Sequence, residues 1–131
     1  MLLDEIGNYL QINGVGTLGT DLFTGLLPDA PDAAVAIIEY GGTAPTHTLG
    51  GGTAKYEQPR VQVVARATTY SAARSKIETI YKLLQAVSNA SLSSVRYLSI
   101  EAVQSPFLLT RDENARAVLA CNFQIVKELS P

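Results

Sequence analysis

The sequence predicts an α+β fold: a mixed or antiparallel sheet of about four to five strands, two helices packed on one face, and a long glycine-rich loop. Two segments carry apolar residues at helical spacing, and several shorter segments alternate apolar and polar residues as strands do. Two helices are too few to cover both faces of a doubly wound sheet. The 131 residues fit one domain, 1–131.

The N-terminal elements follow from apolar spacing and turn residues. Apolar residues recur at helical spacing over residues 2–12, and Asn13-Gly14 can end a helix there. Residues 20–27 predict a strand, and the two prolines within 28–32 predict a turn. The largely apolar run over 33–40 is typical of a central strand that is covered on both faces.

Residues 41–58 form the most unusual segment of the chain. Gly41-Gly42 opens it, and Gly50-Gly51-Gly52 lies inside it among small residues. Loops of this length are uncommon in compact domains and are usually functional or disordered. We therefore expect either a mobile hairpin arm or a disordered excursion.

The middle of the chain predicts a strand followed by a helix. From Pro59 to Thr68, apolar and polar residues alternate as in a strand with one covered face. Thr69 or Ser71 can cap the helix that follows and continues to about Leu84. The apolar residues of this helix form one stripe and its charged residues lie opposite, so one face is expected to pack on the core.

The C-terminal third predicts a linker, two strands and a turn. Residues 88–94 are polar and are interpreted as a linker, and residues 95–103 predict a strand. Ser105-Pro106 interrupts that strand, and residues 107–110 lead into a polar turn. A last strand then follows over about 115–126, where alternate residues are apolar.

The charge balance argues against a nucleic-acid or membrane partner. The net charge is −2, and the Lys and Arg residues are scattered rather than grouped into a basic face. The N-terminus lacks the basic and apolar regions of a signal peptide, and no window approaches the roughly 18 apolar residues that span a bilayer. Charged residues make up only 17% of the chain, which hints that a partner covers part of the surface.

Two glycine motifs resemble nucleotide-binding sequences but lack the required context. Residues 14–19 match G-x-G-x-x-G, with Glu39 twenty residues beyond, yet a helix precedes them and a strand-like sequence follows. A dinucleotide-binding site has the strand before the glycines and the helix after them, which is the reverse order. We therefore interpret these glycines as a flexible joint. The glycines at 50–52 are not followed by the Gly-Lys-Ser/Thr of a phosphate loop. No cofactor is expected.

No residue set predicts catalysis or metal binding. His47 is the only histidine and lies in the glycine-rich segment, where it is not held as a general base must be. Cys121 is the only cysteine and lies in an apolar run, so we expect it to be buried and unreactive. One His and one Cys cannot supply a zinc site. The carboxylates fall at a helix start or in turns, where they are ordinary.

Three segments resemble one viral protein family. The run Tyr-Glu-Gln-Pro-Arg-Val-Gln-Val-Val-Ala-Arg at 56–66, followed by Tyr-Ser-Ala-Ala at 70–73 and its helix, is similar to the minor capsid or tail-terminator family of long-tailed bacteriophages. Residues 19–32 and the Tyr-Gly-Gly at 40–42 also resemble that family. The resemblance covers most of the chain, and the order of the short motifs carries more weight than any one of them.

The resemblance implies a structural, non-enzymatic virion protein, made in the host cytoplasm, that forms a hexameric ring at the head-proximal end of the tail. The implied partners are further copies of the chain, the tail tube protein and a neck or connector protein. Ring contacts join unlike patches of neighbouring copies, and the 41–58 segment and the tip at 111–114 are the candidates. The candidate interface residues are Tyr40, His47, Lys55, Tyr56, Arg60, Arg66, Arg111, Asp112 and Glu113.

Three other interpretations stay open. A head-completion or neck adaptor protein would have a similar size and would also work within the virion. A small cytoplasmic ligand-binding domain or enzyme is a second alternative, and nucleotide or metal binding would reveal it. A DNA-contacting protein is the third, and the net charge disfavours it.

Overall fold

The computed structural model describes residues 2–47 and 54–128, which form two helices and seven strands. The helices are α1 (Leu2–Ile12) and α2 (Tyr70–Gln85). The strands are β1 (Leu22–Thr24), β2 (Ala34–His47), β3 (Ala54–Ala67), β4 (Ser88–Leu92), β5 (Val95–Ala102), β6 (Phe107–Arg111) and β7 (Ala117–Glu128). The α+β class is therefore confirmed.

All strands join one mixed sheet in the order β1-β2-β3-β7-β5-β4, with β6 also paired to β7. Only β1 and β2 are parallel among these pairs, and the others are antiparallel. β5 and β6 lie end to end along the same side of β7. β5 pairs with the C-terminal half of β7, and β6 pairs with Ala117 to Ala120.

The predicted number of four to five strands was wrong, because two short strands escaped detection. Residues 88–92, interpreted as linker, form β4, which is joined to β5 by a two-residue turn at Ser93 and Ser94. Both serines have positive φ, 51° and 66°, a conformation that hairpin turns usually assign to Asn or Gly. Residues 107–111 form β6, a five-residue strand whose apolar and polar residues do not alternate.

In its described part, the glycine-rich segment continues two strands as a hairpin arm. β2 runs on to His47 and β3 begins at Ala54, so the strand predicted from Pro59 starts earlier. Gly41 has a φ of 45° where the β2–β3 register shifts, a bulge conformation that favours glycine. Pro59 lies opposite Gly42 beside this bulge, where a missing backbone donor is tolerated. The glycines at 50–52 lie outside the described residues.

The main core lies between the helices and one face of the sheet. The alternate residues predicted to share one face, Val61, Val63, Ala65 and Ala67 in β3, are all buried in this core. The predicted β7 set Ala117, Leu119, Cys121, Phe123 and Ile125 is buried with them. Both helices add buried residues to the same cluster. Tyr9 Oη donates a hydrogen bond of 2.9 Å to the Leu83 carbonyl, which links α1 to α2.

The start of α2 is fixed by one of the two predicted capping residues. Thr69 has an extended backbone, and its Oγ1 accepts a hydrogen bond of 3.2 Å from the Ala72 amide. The charged residues Arg74 and Glu78 lie on the outer side of the helix and form an ion pair of 2.9 Å. The capped helix therefore presents its apolar stripe to the sheet, as its sequence pattern predicts.

A second apolar cluster lies on the face of the sheet that the helices do not cover. It consists of four buried residues on the three central strands, with half-buried residues packed on them. The buried members are Ala36, Val64, Val118 and Ala120, and the half-buried ones are Phe23, Leu27, Ile38 and Phe107. The central strands are thus covered on both faces at this end, as the apolar run at 33–40 predicts.

Candidate assembly surfaces

The predicted interface residues fall into separate groups along the β2–β3–β7 ladders. His47, Lys55 and Tyr56 lie on the hairpin arm, where His47 is in register with Ala54 and Tyr56 with Glu128 of β7. Tyr40 and Arg60 lie closer to the centre and face each other across β2 and β3. The structure therefore brings these two residues together at the base of the arm.

Tyr40 and Arg60 belong to a polar row that crosses the sheet. Arg60 is in register with Gln124 of β7, which is in register with Glu101 of β5. Arg60 Nη2 donates to Gln124 Oε1 at 3.5 Å. The neighbours of Arg60 and Gln124 in sequence, Val61 and Phe123, are buried under the helices, so this row lies on the opposite, helix-free face.

The remaining predicted residues lie at the other end of the ladders. Arg66 is in register with Val118 and Arg111 with Ala117, whereas Asp112 and Glu113 begin the β6–β7 turn. The structure therefore does not unite the nine residues into one patch. It separates two groups. The arm group consists of His47, Lys55 and Tyr56, with Tyr40 and Arg60 at the base of the arm, and the second group consists of Arg66, Arg111, Asp112 and Glu113.

Arg116, which the sequence analysis did not single out, organises this second group. Its side chain is only 5% exposed, yet it contacts three carboxylates. The ion-pair distances are 2.7 Å to Asp112, 2.8 Å to Asp29 and 3.1 Å to Asp32. Burial alone would lower the pKa of the Arg116 guanidinium, but the three carboxylates raise it above its ordinary value. The β6–β7 turn is therefore bound to the loop before β2.

Arg66 binds the backbone of the same loop, the one before β2. Its guanidinium donates to the carbonyl of Pro31 and, at 3.1 Å, to the carbonyl of Asp32. The residue is buried, and burial lowers the pKa of its guanidinium, as does the nearby charge of Arg116. Arginine nevertheless stays protonated at any physiological pH. Arg66 thus lies beneath the loop, whereas Arg111 and Glu113 are exposed.

Asp112 shapes the turn between β6 and β7. Its Oδ1 accepts hydrogen bonds from the amides of Asn114 at 3.0 Å and Arg116 at 2.9 Å. Burial tends to raise the pKa of the Asp112 carboxyl. The hydrogen bonds to Arg116 and Asn114 outweigh that effect, so the pKa lies below its ordinary value. The turn therefore depends on an ionised Asp112.

A buried charged cluster lies under α1. Lys127 is fully buried, and its Nζ lies 2.8 Å from Glu57 Oε1 and 3.4 Å from Glu5 Oε1. Tyr97 Oη donates a hydrogen bond of 2.7 Å to the same Glu5 oxygen, and the Lys127 Nζ lies 5.6 Å from the Tyr97 ring centroid. Burial, and then Glu5, raise the pKa of the Tyr97 phenol. The cluster joins α1 to β3, β5 and β7.

A third surface is apolar and lies along β6. Among the described residues, β6 pairs with β7 alone, so its other edge is open. Leu108 and Leu109 are 47% and 46% exposed, and Val103 just before the strand is 51% exposed. We call these three residues the β6 edge patch.

The described residues contain no group arranged for catalysis. Cys121 is buried, and burial raises the pKa of its thiol to about 11. Across residues 2–47 and 54–128, no three His, Cys, Asp or Glu residues are arranged so that they could hold a metal ion. No helix in the described part of the chain is long and apolar enough to cross a membrane.

Of the buried charged residues that the sequence patterns did not single out, only Lys127 could have been recognised from its position in the sequence. Lys127 lies two residues beyond Ile125, so it continues the face of β7 predicted to be buried. A lysine on that face requires a buried acidic partner. Two of the three partners of Arg116, Asp29 and Asp32, lie more than eighty residues away in the sequence, and no local pattern connects them to it.

Known proteins share this fold. A solved structure described as a virion of a native gene transfer agent particle superimposes with a TM-score of 0.61 at 14% identity, covering 98% of this chain and 95% of that chain. A second solved structure gives a TM-score of 0.54 at 11% identity, covering 99% of this chain and 92% of that chain. A search of curated proteins found no match.

The family follows from the sequence itself. The model of a family described as bacteriophage tail terminator protein matches residues 9–129. The chain is thus a structural protein of a phage tail, not an enzyme, and its place is the virion. It belongs to the bacteriophage tail terminator protein family, which confirms the resemblance seen in residues 56–66 and their neighbours.

Replacing Asp112 with Asn tests the charge in the β6–β7 turn. The ionised form of Asp112 is favoured in the folded state, so its contribution is present above the unfolded pKa of about 3.9 and is lost as pH falls through the lower folded pKa. At pH 7, Asp112→Asn should unfold at a lower urea concentration than the wild type. The difference should shrink as pH falls below about 4. The exposed neighbour variant Glu113→Gln is the control, and a difference independent of pH would contradict the assignment.

Replacing Lys127 with Met tests the buried cluster. Removing the cation leaves the buried carboxylate of Glu5 without this partner, and breaking such a pair typically costs about 3–5 kcal/mol of unfolding free energy. The double variant Glu5→Gln, Lys127→Met should recover part of that loss because it removes the uncompensated charge. Urea unfolding at pH 7 measures both. If Lys127→Met were as stable as the wild type, the cluster would not contribute to the free energy of unfolding.

Proposed function

We propose that the protein is a ring-forming tail terminator. Copies of the chain, six in the resemblance-based prediction, form a ring that caps the tail tube at its head-proximal end and joins the tail to the neck. The family match supports a tail role, and the observation that carries the ring proposal is the hairpin arm of β2 and β3. Beyond Tyr56, which pairs with Glu128 of β7, the described part of the arm is held by β2–β3 pairing alone, so this end of the arm is placed to reach a neighbouring subunit.

A ring of identical copies needs two unlike surfaces on each subunit. Head-to-tail contacts join one patch to a different patch of the next copy and close when the rotation between copies fits. The described residues supply such a pair: the arm group with Tyr56 near one end, and the exposed residues Arg111 and Glu113 at the other. The buried clusters between them hold the two surfaces in fixed relation.

The proposed position at the head-proximal end of the tail tube also determines which other proteins the ring contacts. A cap on the tube contacts the tube protein on one side of the ring and a neck or connector protein on the other. With a net charge of −2 and no basic cluster in the sequence, binding to DNA is not part of this proposal. A head-completion or neck adaptor is the second candidate function, because such a protein would occupy the adjacent position.

Phage lysates that lack the protein distinguish the two functions. Without a terminator, tube growth is not stopped, so electron microscopy should show overlong tails or tails without heads. Complementation with the wild-type chain should restore tails of normal length. Filled heads without tails, beside free tails of normal length, would contradict the terminator proposal and favour the adaptor.

Deleting residues 43–55 tests the arm. The deletion removes the arm but leaves the buried ladder between β2, β3 and β7 from Ala34 to Tyr40, so the monomer should still fold. Circular dichroism and thermal unfolding check the fold, and light scattering at several concentrations checks assembly. Assembly should be impaired. Rings and tails like those of the wild type from a folded deletion variant would show that the arm is dispensable.

A further inference from the structure

We infer that the β6 edge patch of one copy binds an apolar groove beside β1 of the next copy in the ring. This contact rests on the proposed function, because it joins subunits of the proposed ring, and it adds a second contact to that of the arm. Three features of the described residues support it: the apolar lining of the groove, the level of the patch and the groove on the sheet, and the charges beside them.

The groove is an apolar hollow of about 440 Å³ on the outer side of β1. Leu18, Phe23, Leu26 and Pro28 line it, and among the described residues Asp4 is its one charged lining residue. Leu26 is 70% exposed, and Leu18 and Phe23 are half-buried. Contiguous apolar side chains in contact with water usually mark an interaction site. We call this surface the β1 groove.

The β6 edge patch is the matching apolar surface. Leu108 and Leu109 are adjacent, and each is nearly half exposed. The β6–β7 register shifts between Leu108 and Thr110, so Leu109 has no residue opposite it on β7 and marks a bulge. An exposed apolar strand edge is an aggregation hazard unless a partner covers it. The patch therefore requires a partner surface that is itself apolar.

The exposed apolar side chains are concentrated at these two surfaces. Six large apolar side chains are exposed among the described residues, and five of them lie in the β1 groove, in the β6 edge patch or beside the patch. Leu26 belongs to the groove, and Tyr70 lies beside the patch. Arg74 Nη1 donates to the Pro106 carbonyl at 2.9 Å, so the first turn of α2 is next to the residues that lead into β6. Tyr70 lies one helical turn before Arg74 on the same side of the helix, and tyrosine is enriched at interfaces.

The sheet places the groove and the patch on opposite sides of the subunit, at the same level along the strands. β1 and β6 are separated by β2, β3 and β7. One row of register partners runs from Leu22 of β1 to Leu108 of β6, and the next row runs from Phe23 to Phe107. The members of the first row on the three strands between are Val35, Ala65 and Leu119. A head-to-tail contact requires two unlike surfaces, and an apolar patch that fits a pocket elsewhere on the same molecule provides them.

The contact joins side chains rather than strands, because the outer backbone of β1 is already bonded. The Gly19 amide donates to the Leu22 carbonyl at 2.9 Å, and the Leu22 amide donates to the Thr17 carbonyl at 3.2 Å. The loop before β1 thus takes the outward-facing groups of Leu22, while β2 pairs with the inner side of the strand. A strand of a neighbouring copy cannot pair at Leu22. Side chains such as those of Leu108 and Leu109 can enter the groove that the loop and β1 line.

Charged residues beside the two surfaces are complementary. Exposed Arg111 ends β6, whereas Asp4 lines the groove and Asp21 lies directly before Leu22. The same ladders, continued by one residue from Leu22, place Asp21 level with Thr110 and one residue from Arg111. Within the described residues, Arg111, Asp4 and Asp21 form no ion pair. Complementary charges favour the correct partner over others, so they support a second copy as the occupant of the groove.

The groove also adjoins the surfaces that the ring proposal already uses. β1 pairs with β2, the strand that continues into the arm, so the groove and the arm lie on the same side of the sheet. β6 lies on the other side, across β3 and β7, and ends at Arg111. One neighbour can therefore receive both the arm and the contact at the groove.

Cysteine crosslinking tests the contact directly. One protein carries Leu26→Cys in the groove and a second carries Leu109→Cys in the patch, and the unmodified chain, whose Cys121 is buried, is the background control. The two variants are mixed, allowed to form rings in solution or on tails in complemented lysates, and treated with a short bis-maleimide. We expect mixed dimers and no crosslinks in either protein alone. A protein that carries both substitutions should give a ladder that ends at the number of subunits in the ring.

The control replaces Leu26→Cys with Ser91→Cys. Ser91 is exposed and lies on β4, whereas the groove lies beside β1 at the other edge of the sheet. Mixed dimers with Ser91→Cys should not form. Rings without a Leu26–Leu109 crosslink, or Leu109→Cys proteins that crosslink only to themselves or to the tail tube protein, would overturn the groove contact and leave the ring standing. Absence of rings both in solution and on tails would overturn the proposed function, and the groove contact with it.

A charge placed in the contact gives an independent readout. Leu109→Lys brings an ammonium group to the apolar groove and should lower the fraction of protein in rings by about tenfold at a fixed concentration, as measured by light scattering. Leu26→Glu added to that variant should restore part of the loss, because it supplies a carboxylate for the ammonium group. Ser91→Lys is the matched control and should leave the fraction unchanged, and thermal unfolding checks that all variants fold. Equal assembly of folded Leu109→Lys and Ser91→Lys proteins, or no recovery with Leu26→Glu, would count against the β1 groove as the partner.

Discussion

The structure depends on β7, a strand that is paired along both sides and is buried on both faces from Ala117 to Cys121. β3 lies along one side of it, and β5 and β6 share the other. Its alternate residues enter the core under the helices, and Val118 and Ala120 enter the cluster on the opposite face. β7 fixes the positions of β3, β5 and β6 directly, and those of β2 and β4 through their pairing with β3 and β5. The open edges of the described sheet therefore lie on β4 and β6 on one side, and on β1 and the part of β2 beyond Ile37 on the other.

Buried charges tie the ends of this sheet to the segments around it. Arg66 and Arg116 bind the loop before β2 and the β6–β7 turn at one end, and Lys127 binds α1 and β3 at the other. Such pairs add little net stability compared with an apolar core, but breaking one is costly, so they favour a single arrangement. A subunit whose function is to fit identical neighbours requires that kind of fixed geometry. No catalytic chemistry is needed for it.

Sequence patterns predicted the features that depend on local periodicity. The bounds of α1 and the buried alternation in β3 and β7 follow from spacing alone, whereas the sequence left Thr69 and Ser71 as alternative caps of α2. β4 and β6 were missed because short strands carry few alternations and the turn at Ser93 and Ser94 lacks glycine. The interface residues were chosen for charge and position along the chain. In the structure they fall into separate groups, and Arg66 lies under a loop. These positions depend on the register between strands that are distant in sequence, which no single segment determines.

Hydrogen exchange in the isolated subunit tests most directly whether the other strands depend on β7. If they do, backbone amides of residues 117–127 exchange more slowly than those of the edge strands at 88–92 and 107–111, because β7 is paired along both sides. Exchange in β7 as fast as in those edge strands would contradict the account.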